Sequence, residues 1–168
     1  LKENGYHNLF FMTHEGQYDN MNAFFRTNGF DEVFAQEDYP SEKVVNSFGV
    51  QDDFLYDYAI PVLNRTADEG QPFFATLLSI SNHPPYVIPP YFHPRTDKPE
   101  TQIVEYADWA LRKFFEEARK QSWFENTIFV LEGDHGKLVG DAECELPQSY
   151  NHIPLMIYSS SITPAEHM

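Results

Sequence analysis

Four short runs of apolar residues limit the possible folds of this chain more than any other feature. Each run is continuous rather than alternating, which is typical of a strand that is covered on both faces. The runs occupy residues 7–13, 73–79, 127–132 and 153–158. Because strands of this kind belong to the centre of a layered protein, we expect all four to lie in one mostly parallel sheet.

Helical patterns lie between these runs. Apolar side chains recur at helical spacing in residues 19–28, 50–66 and 101–121. Pro61 is expected to kink or end the second helix, because proline has no N–H to donate. Residues 81–94 contain five of the twelve prolines and are predicted to form an extended loop. Strands that alternate with helices predict an α/β fold, with a mostly parallel central sheet and helices on both faces.

Length and composition narrow the class of protein. A chain of 168 residues with 42% hydrophobic residues can bury the core of one domain. Its formal net charge of −15 argues against nucleic acid as a partner, since that affinity depends on Lys and Arg contacts to phosphates. No apolar run is long enough to span a membrane. The chain enters its first strand after a short polar tail, so we expect a domain that is incomplete at its N-terminal side.

Polar residues are grouped where the predicted strands end. His14 and Glu15 follow the first run, Asn82 and His83 follow the second, and the pair Asp134-His135 follows the third. In open α/β sheets, ligands bind beyond the carboxyl ends of the strands. We therefore expect these groups to contribute to a binding site. His152 precedes the fourth run and could either serve that site or begin a strand as a structural residue.

The pair Asp134-His135 stands between Gly133 and Gly136. Carboxylate and imidazole groups are ligands suited to Mn²⁺, Mg²⁺ or Zn²⁺. Neighbouring side chains on an extended strand point in opposite directions, so both can reach one ion only if the backbone turns here. Glycine on either side permits such a turn. The residues alone leave two interpretations open, a metal site and a solvated surface pair.

Five ordered segments of the chain resemble the sulfatase-like phosphotransferases of the alkaline phosphatase superfamily, in the branch of the lipoteichoic acid synthases and phosphoglycerol transferases. They include Ser-Asn-His at 81–83 and Gly-Asp-His-Gly at 133–136. The segments cover residues 1–34, 48–63, 72–89, 106–136 and 150–159. The resemblance implies an alkaline phosphatase/sulfatase-like fold in which residues 1–168 are the C-terminal portion of a single catalytic domain.

The same resemblance implies roles for individual residues. Asp134 and His135 would bind a divalent metal, for which Mn²⁺ or Mg²⁺ is expected and Zn²⁺ or Ca²⁺ are alternatives. His83 would be catalytic and lie beside the transferred group. The four polar residues at the strand ends, His14, Glu15, Asn82 and His152, are expected from their positions to bind the substrate.

The family's nucleophile and remaining metal ligands lie upstream of Leu1, so this portion alone is expected to be inactive. The substrate would be a phosphate or sulfate ester, with lipid-linked glycerophosphate as one candidate. Contact with a membrane would be made only by an N-terminal region, and this portion would lie on the extracytoplasmic face. The alternatives are a sulfatase or phosphodiesterase that hydrolyses a soluble ester, and a non-catalytic binding module of the same fold.

One segment departs from the family pattern. Asp19 and Met21 stand where the lipoteichoic acid synthases carry a tryptophan and an arginine that hold glycerol phosphate. Without the arginine, a bidentate phosphate donor is missing. The identity of the headgroup stays open, and so does the choice between a phosphate ester and a sulfate ester as substrate. Asp19 and Asn20 are also interpreted as helix N-cap residues.

Overall fold

The computed structural model describes residues 1–136 and 153–161, which form ten regular strands and helices joined by loops and short 3-10 turns. In chain order they are β1 (His7–Met12), α1 (Met21–Thr27), β2 (Glu32–Phe34), β3 (Val44–Asn46), β4 (Gly49–Val50), α2 (Asp52–Asp68), β5 (Phe73–Leu78), α3 (Pro99–Ala118), β6 (Phe129–Glu132) and β7 (Leu155–Tyr158). The chain divides into two compact units, Leu1–Ser122 and Trp123–Met168.

The first unit contains a parallel sheet of three strands in the order β2-β1-β5. The central strand, β1, is buried from Asn8 to Met12, as its apolar run predicts. One core cluster forms where Phe10 and Met12 of β1 meet Val33 and Ala35. The α/β class and the parallel arrangement of the first two predicted strands are therefore confirmed.

Two long helices accompany this sheet, and both were predicted. Helix α3 buries Ile103, Tyr106 and Ala110 along one stripe, as its periodicity indicates. Helix α2 does not end at Pro61 but continues to Asp68. Its buried side chains lie on both sides of the proline, so packing offsets the missing hydrogen bond. None of the described helices has the length and apolar character needed to cross a bilayer.

The segment between β5 and α3 has neither helix nor strand, in agreement with the loop predicted from its prolines. It is nevertheless tied to the core. Tyr86, Ile88 and Phe92 pack against the buried stripe of α3. The middle of the loop is consequently held against α3.

The second unit corrects the expectation of a single sheet. Strands β6 and β7 pair with each other in an antiparallel two-stranded sheet, from Phe129↔Tyr158 to Glu132↔Leu155. The predicted burial is also wrong here, since Val130 is 59% exposed and Ile157 is 64% exposed. An apolar run indicates a strand, but pairing is set by contacts with distant parts of the chain, which the run does not encode.

Candidate active site at the carboxyl ends of the strands

Two of the predicted polar groups lie at the same edge of the parallel sheet. β1 and β5 run in the same direction and end in register, with Met12 opposite Leu78. His14 follows the end of β1, and the turn that contains Asn82 and His83 follows the end of β5. The structure therefore brings the first and second predicted groups to one edge. His152 lies outside the described residues.

His14 is buried, although its position after a strand also suited an exposed surface residue. Its side chain is among the largest that are fully enclosed. Nδ1 donates a hydrogen bond to the Glu15 carbonyl at 3.2 Å, and the ring lies 4.8 Å from that of Tyr18. Glu15 itself is exposed. The two residues thus occupy different environments, since His14 is enclosed and hydrogen-bonded whereas Glu15 faces solvent.

His83 and Asn82 are exposed at the tip of a tight turn. The turn is closed by the His83 N–H, which donates to the Ile80 carbonyl at 2.8 Å. Nδ1 of His83 donates to the Pro84 carbonyl at 2.7 Å, and the ring lies 4.3 Å from that of Phe48. These contacts fix the imidazole while its surface stays accessible, as a group that acts on a substrate requires.

The segment that carries Phe48 lies between the two histidines. Gly49 has φ +88°, and a Cβ on this residue would overlap the Thr13 carbonyl. The Val50 N–H donates to that same carbonyl at 3.1 Å. Glycine is required here because the backbone is left-handed and approaches the end of β1 closely. Phe48 and Gly49 therefore connect the His83 ring with the backbone that precedes His14.

A buried carboxyl group lies directly after this segment. Asp52, the first residue of α2, is 2% exposed. Its Oδ1 accepts hydrogen bonds from the Ile80 N–H at 2.9 Å and the Ser81 N–H at 3.0 Å. Burial, the largest influence, raises the pKa of Asp52, while the two N–H groups act in the opposite direction. Asp52 thus joins the start of α2 to the exit of β5.

The sequence did not point to Asp52 or to its neighbour Gln51. Acidic residues are common in the first turn of a helix, where the helix dipole favours them, so Asp52 reads as an ordinary solvated residue. One feature of the sequence could have drawn attention to Asp52. In Gly49-Val50-Gln51-Asp52, a glycine and two polar residues interrupt the apolar pattern.

The backbone bends at Asp134 and His135, as their flanking glycines predict. The His135 N–H donates to Asp134 Oδ1 at 2.9 Å, and His135 Nδ1 donates to the Gly136 carbonyl at 3.0 Å. Asp134 Oδ2 and His135 Nε2 are 3.7 Å apart. Two ligand atoms on one ion can be separated by up to about 4 Å, so the bend places both side chains within reach of a common ion.

All three histidines of the predicted site share one arrangement. His14, His83 and His135 each donate Nδ1–H to the backbone carbonyl of the following residue. Each neutral ring therefore presents Nε2 as its hydrogen-bond acceptor or metal ligand. Metal-binding histidines are commonly oriented in this way by a second hydrogen bond.

Asp134 and His135 fit a divalent metal by chemistry and by spacing. Within residues 1–136 and 153–161, no group of three or more His, Cys, Asp or Glu side chains is arranged around one ion position. The pair by itself offers two candidate ligands. Oxygen and nitrogen donors together suit Mn²⁺, Mg²⁺ and Zn²⁺.

The segment that departs from the family pattern has an unusual backbone. Asp19 and Asn20 both have positive φ, 47° and 58°. Asn20 precedes α1, but its side chain makes no capping hydrogen bond, so the predicted N-cap is wrong. A left-handed residue does not direct its side chain to the helix N–H groups as an extended N-cap does. Met21 packs against the core cluster of Phe10 and Met12.

Comparison with known proteins agrees with this architecture. The family model described as Sulfatase matches residues 1–168, and the chain belongs to the sulfatase family. A protein of the alkaline phosphatase superfamily from Vibrio parahaemolyticus has a similar structure, with a TM-score of 0.85 and 36% identity over 98% of this chain and 41% of its own. Its fold is therefore that of the alkaline phosphatase superfamily.

Two further relatives belong to the branch named above. Phosphoglycerol transferase I of Xanthomonas axonopodis pv. citri is 25% identical over 99% of this chain. The chain spans about a quarter (25%) of that relative's length. The lipoteichoic acid synthase LtaP from Listeria monocytogenes shares the fold, with a TM-score of 0.83 and 24% identity over 97% of this chain and 45% of its own.

Proposed function

We propose that residues 1–168 form the C-terminal portion of a single sulfatase-like catalytic domain, in a divalent-metal-dependent enzyme that transfers a phosphoglycerol group. The observation that carries this proposal is the placement of His14 and His83 at one edge of the parallel sheet, where each ring is oriented through Nδ1. The similarity to phosphoglycerol transferase I supports the choice of transferred group.

His83 is the proposed catalytic residue. With Nδ1–H held by the Pro84 carbonyl, Nε2 is the nitrogen of this exposed ring that can accept a proton. The imidazolium formed in that way can hydrogen-bond an anionic oxygen of the transferred group or return the proton to the leaving group. His14, Glu15 and Asn82 are the proposed substrate-binding residues in the described part of the chain, and His152 is proposed from the sequence alone.

Asp134 and His135 are the proposed metal ligands, with Mn²⁺ or Mg²⁺ expected and Zn²⁺ or Ca²⁺ as alternatives. When bound, a divalent metal would supply neutralisation of the charge on the transferred group and activation of the nucleophile. The Gly136 carbonyl fixes the His135 ring so that Nε2 is the ligand atom. The His135 N–H donates to Asp134 Oδ1 and so fixes the orientation of that carboxyl group.

The nucleophile and the remaining ligands are proposed to come from a preceding part of the protein, which would leave residues 1–168 inactive when isolated. A lipid-linked glycerophosphate donor and a position on the extracytoplasmic face of the membrane follow from the family resemblance. Both belong to the proposal for the whole protein.

A second candidate function is hydrolysis of a sulfate or phosphate ester with a different headgroup. It is favoured by the segment at Asp19 and Met21. Met21 packs into the core, and neither residue offers the guanidinium donors expected for glycerol phosphate. Product analysis separates the candidates, because a transferase passes phosphoglycerol to an acceptor hydroxyl whereas the hydrolase passes a sulfate or phosphate group to water.

The role of His83 is tested by substitution in the full-length enzyme. His83→Ala should lower kcat at least about tenfold, because a positioned acid–base group contributes that much or more. His93→Ala is the matched control, since His93 is also exposed and lies on the same proline-rich segment. Turnover should be measured for both variants at equal folded concentration. Wild-type turnover in His83→Ala would remove this residue from the site.

The metal site is tested by chelation. After dialysis against a chelator, the full-length enzyme should regain activity with Mn²⁺ or Mg²⁺, while Asp134→Ala and His135→Ala should bind less metal and stay inactive. Asp108→Ala is the control, because Asp108 is an exposed aspartate that pairs with Arg112 on α3. Metal content and turnover are both measured. Full metal-dependent turnover in Asp134→Ala would contradict the assignment.

A further inference from the structure

We propose that Asp52 is a positioning residue for His83, and that its buried carboxyl group fixes the turn on which His83 lies. This inference rests on the proposed role of His83 in the reaction. Asp52 does not touch the exposed face of the His83 ring. Its effect is exerted through the backbone of the turn.

The first step is the contact between Asp52 and the exit of β5. One carboxylate oxygen accepts two consecutive N–H groups, those of Ile80 and Ser81, at 2.9 and 3.0 Å. The Ile80 carbonyl in turn accepts the His83 N–H that closes the turn. Asp52 thus binds the N–H of Ile80, and the carbonyl of Ile80 binds the N–H of His83.

The second step is a hydrogen-bond network that reaches the far side of the loop. The Ser81 hydroxyl accepts the Asp52 N–H at 3.1 Å and donates to Gln51 Oε1 at 3.0 Å. Gln51 Nε2 donates to the Val87 carbonyl at 3.0 Å. The residues before and after His83 are therefore bound by two adjacent residues, Gln51 and Asp52.

The third step is the attachment of this segment to β1. Gly49 and Val50 lie against the Thr13 carbonyl, and Phe48 packs on the His83 ring. Residues 48–52 consequently contact the end of β1 at one end and the exit of β5 at the other. Asp52 sets the position of His83 relative to the strand that precedes His14.

A carboxyl group suits this position for a physical reason. One carboxyl oxygen has two lone pairs and can accept both N–H groups at once. Removal of the side chain would leave two partly buried N–H donors without this partner, which costs more than the loss of one hydrogen bond. Asparagine retains one acceptor oxygen of the same geometry, so it should preserve part of the effect.

The test compares Asp52→Ala and Asp52→Asn in the full-length enzyme. Asp52→Ala should lower kcat about 10- to 100-fold, the effect expected when a catalytic group is displaced by about 1 Å. Asp52→Asn should fall between this variant and the wild type. Hydrogen exchange at the Ile80 and Ser81 amides should accelerate in Asp52→Ala. Thr66→Val is the matched control, because Thr66 is a buried polar residue of the same helix whose hydroxyl donates to the Val62 carbonyl within α2.

Thr66→Val should leave kcat and both amides unchanged. In a His83→Ala background, Asp52→Ala should cause less than about a twofold further loss, since the two substitutions affect one interaction. An undiminished further loss, or unchanged exchange at Ile80 and Ser81, would overturn the positioning role while leaving the proposed function in place. Wild-type turnover in His83→Ala would overturn the proposed role of His83, and with it the inference that depends on it.

Discussion

At Gly49, the backbone conformation and the surroundings both demand the absence of a side chain. Its φ is +88°, and a Cβ would overlap the Thr13 carbonyl and approach the His14 Cα to 2.9 Å. Both obstacles are backbone atoms of a buried strand end, so neither can move aside as a flexible side chain can. The close approach is what allows the Val50 N–H to reach Thr13.

We expect Gly49→Ala to destabilise the protein by about 3 kcal/mol or more, because left-handed strain adds to a backbone clash. Gly70→Ala is the matched control. Gly70 has φ +74° but open space around its Cβ position, so only the strain of about 1–2 kcal/mol should appear. Equilibrium denaturation of both variants gives the comparison. Equal losses of unfolding free energy would show that Thr13 relaxes away from the added methyl group.

At the scale of elements, the start of α2 departs from the usual pattern of a solvated first turn. The carboxyl group of Asp52 is enclosed, and its pKa is raised, with burial as the largest cause and the carboxylate of Asp53 as a smaller one. A raised pKa means that the folded protein binds this proton more tightly than the unfolded chain does. The stability contributed by the proton is present below the ordinary pKa of about 4 and is lost as the pH rises through the raised value.

This linkage predicts a pH-dependent difference between the wild type and Asp52→Asn. The melting temperature of the wild type minus that of the variant should be greatest near pH 4 and should decrease as the pH rises, because asparagine does not titrate. Thermal unfolding across the range from pH 4 to pH 8 measures it. For Thr66→Val the corresponding difference should not follow this trend. A difference that increases with pH would mean that the N–H groups of Ile80 and Ser81 outweigh burial.

The elements that could be predicted are those whose signal is local. β1 and β5 are read from continuous apolar runs, although β5 is only partly buried, and α3 is read from its periodic apolar stripe. The pairing of β6 with β7 was not predictable, since a strand's partner depends on contacts that are distant in sequence. Helix α2 passes Pro61 for the same reason: tertiary packing overrides a local cost.

The residues of the candidate site also differ in whether the sequence alone could identify them. His83 and the pair Asp134-His135 could be named from short motifs, and their roles remain predictions. The bend at the pair could be predicted because glycine acts on its own backbone. Asp52 could not be identified, since its burial arises only when the loop after β5 returns to the start of α2. Residues that support a site through tertiary contacts leave no pattern in the sequence.

At the scale of the whole molecule, net charge and exposed apolar surface have opposite effects on association between copies. The chain carries a formal net charge of −15, and copies of it therefore repel each other at neutral pH. The described part of the second unit exposes apolar side chains along its two strands, with Leu155 60% and Ile157 64% exposed. These two features act in opposite directions on association between copies.

The two-stranded sheet of β6 and β7 has a practical consequence for handling the protein. In the described residues each of its strands has only one partner, so each offers a row of N–H and C=O groups on which a further strand can assemble. The repulsion between copies of the chain opposes such pairing. Added salt shortens the range of that repulsion, to about 8 Å at physiological ionic strength. We therefore expect less association between copies in dilute buffer than with added salt, and light scattering at two ionic strengths measures the difference.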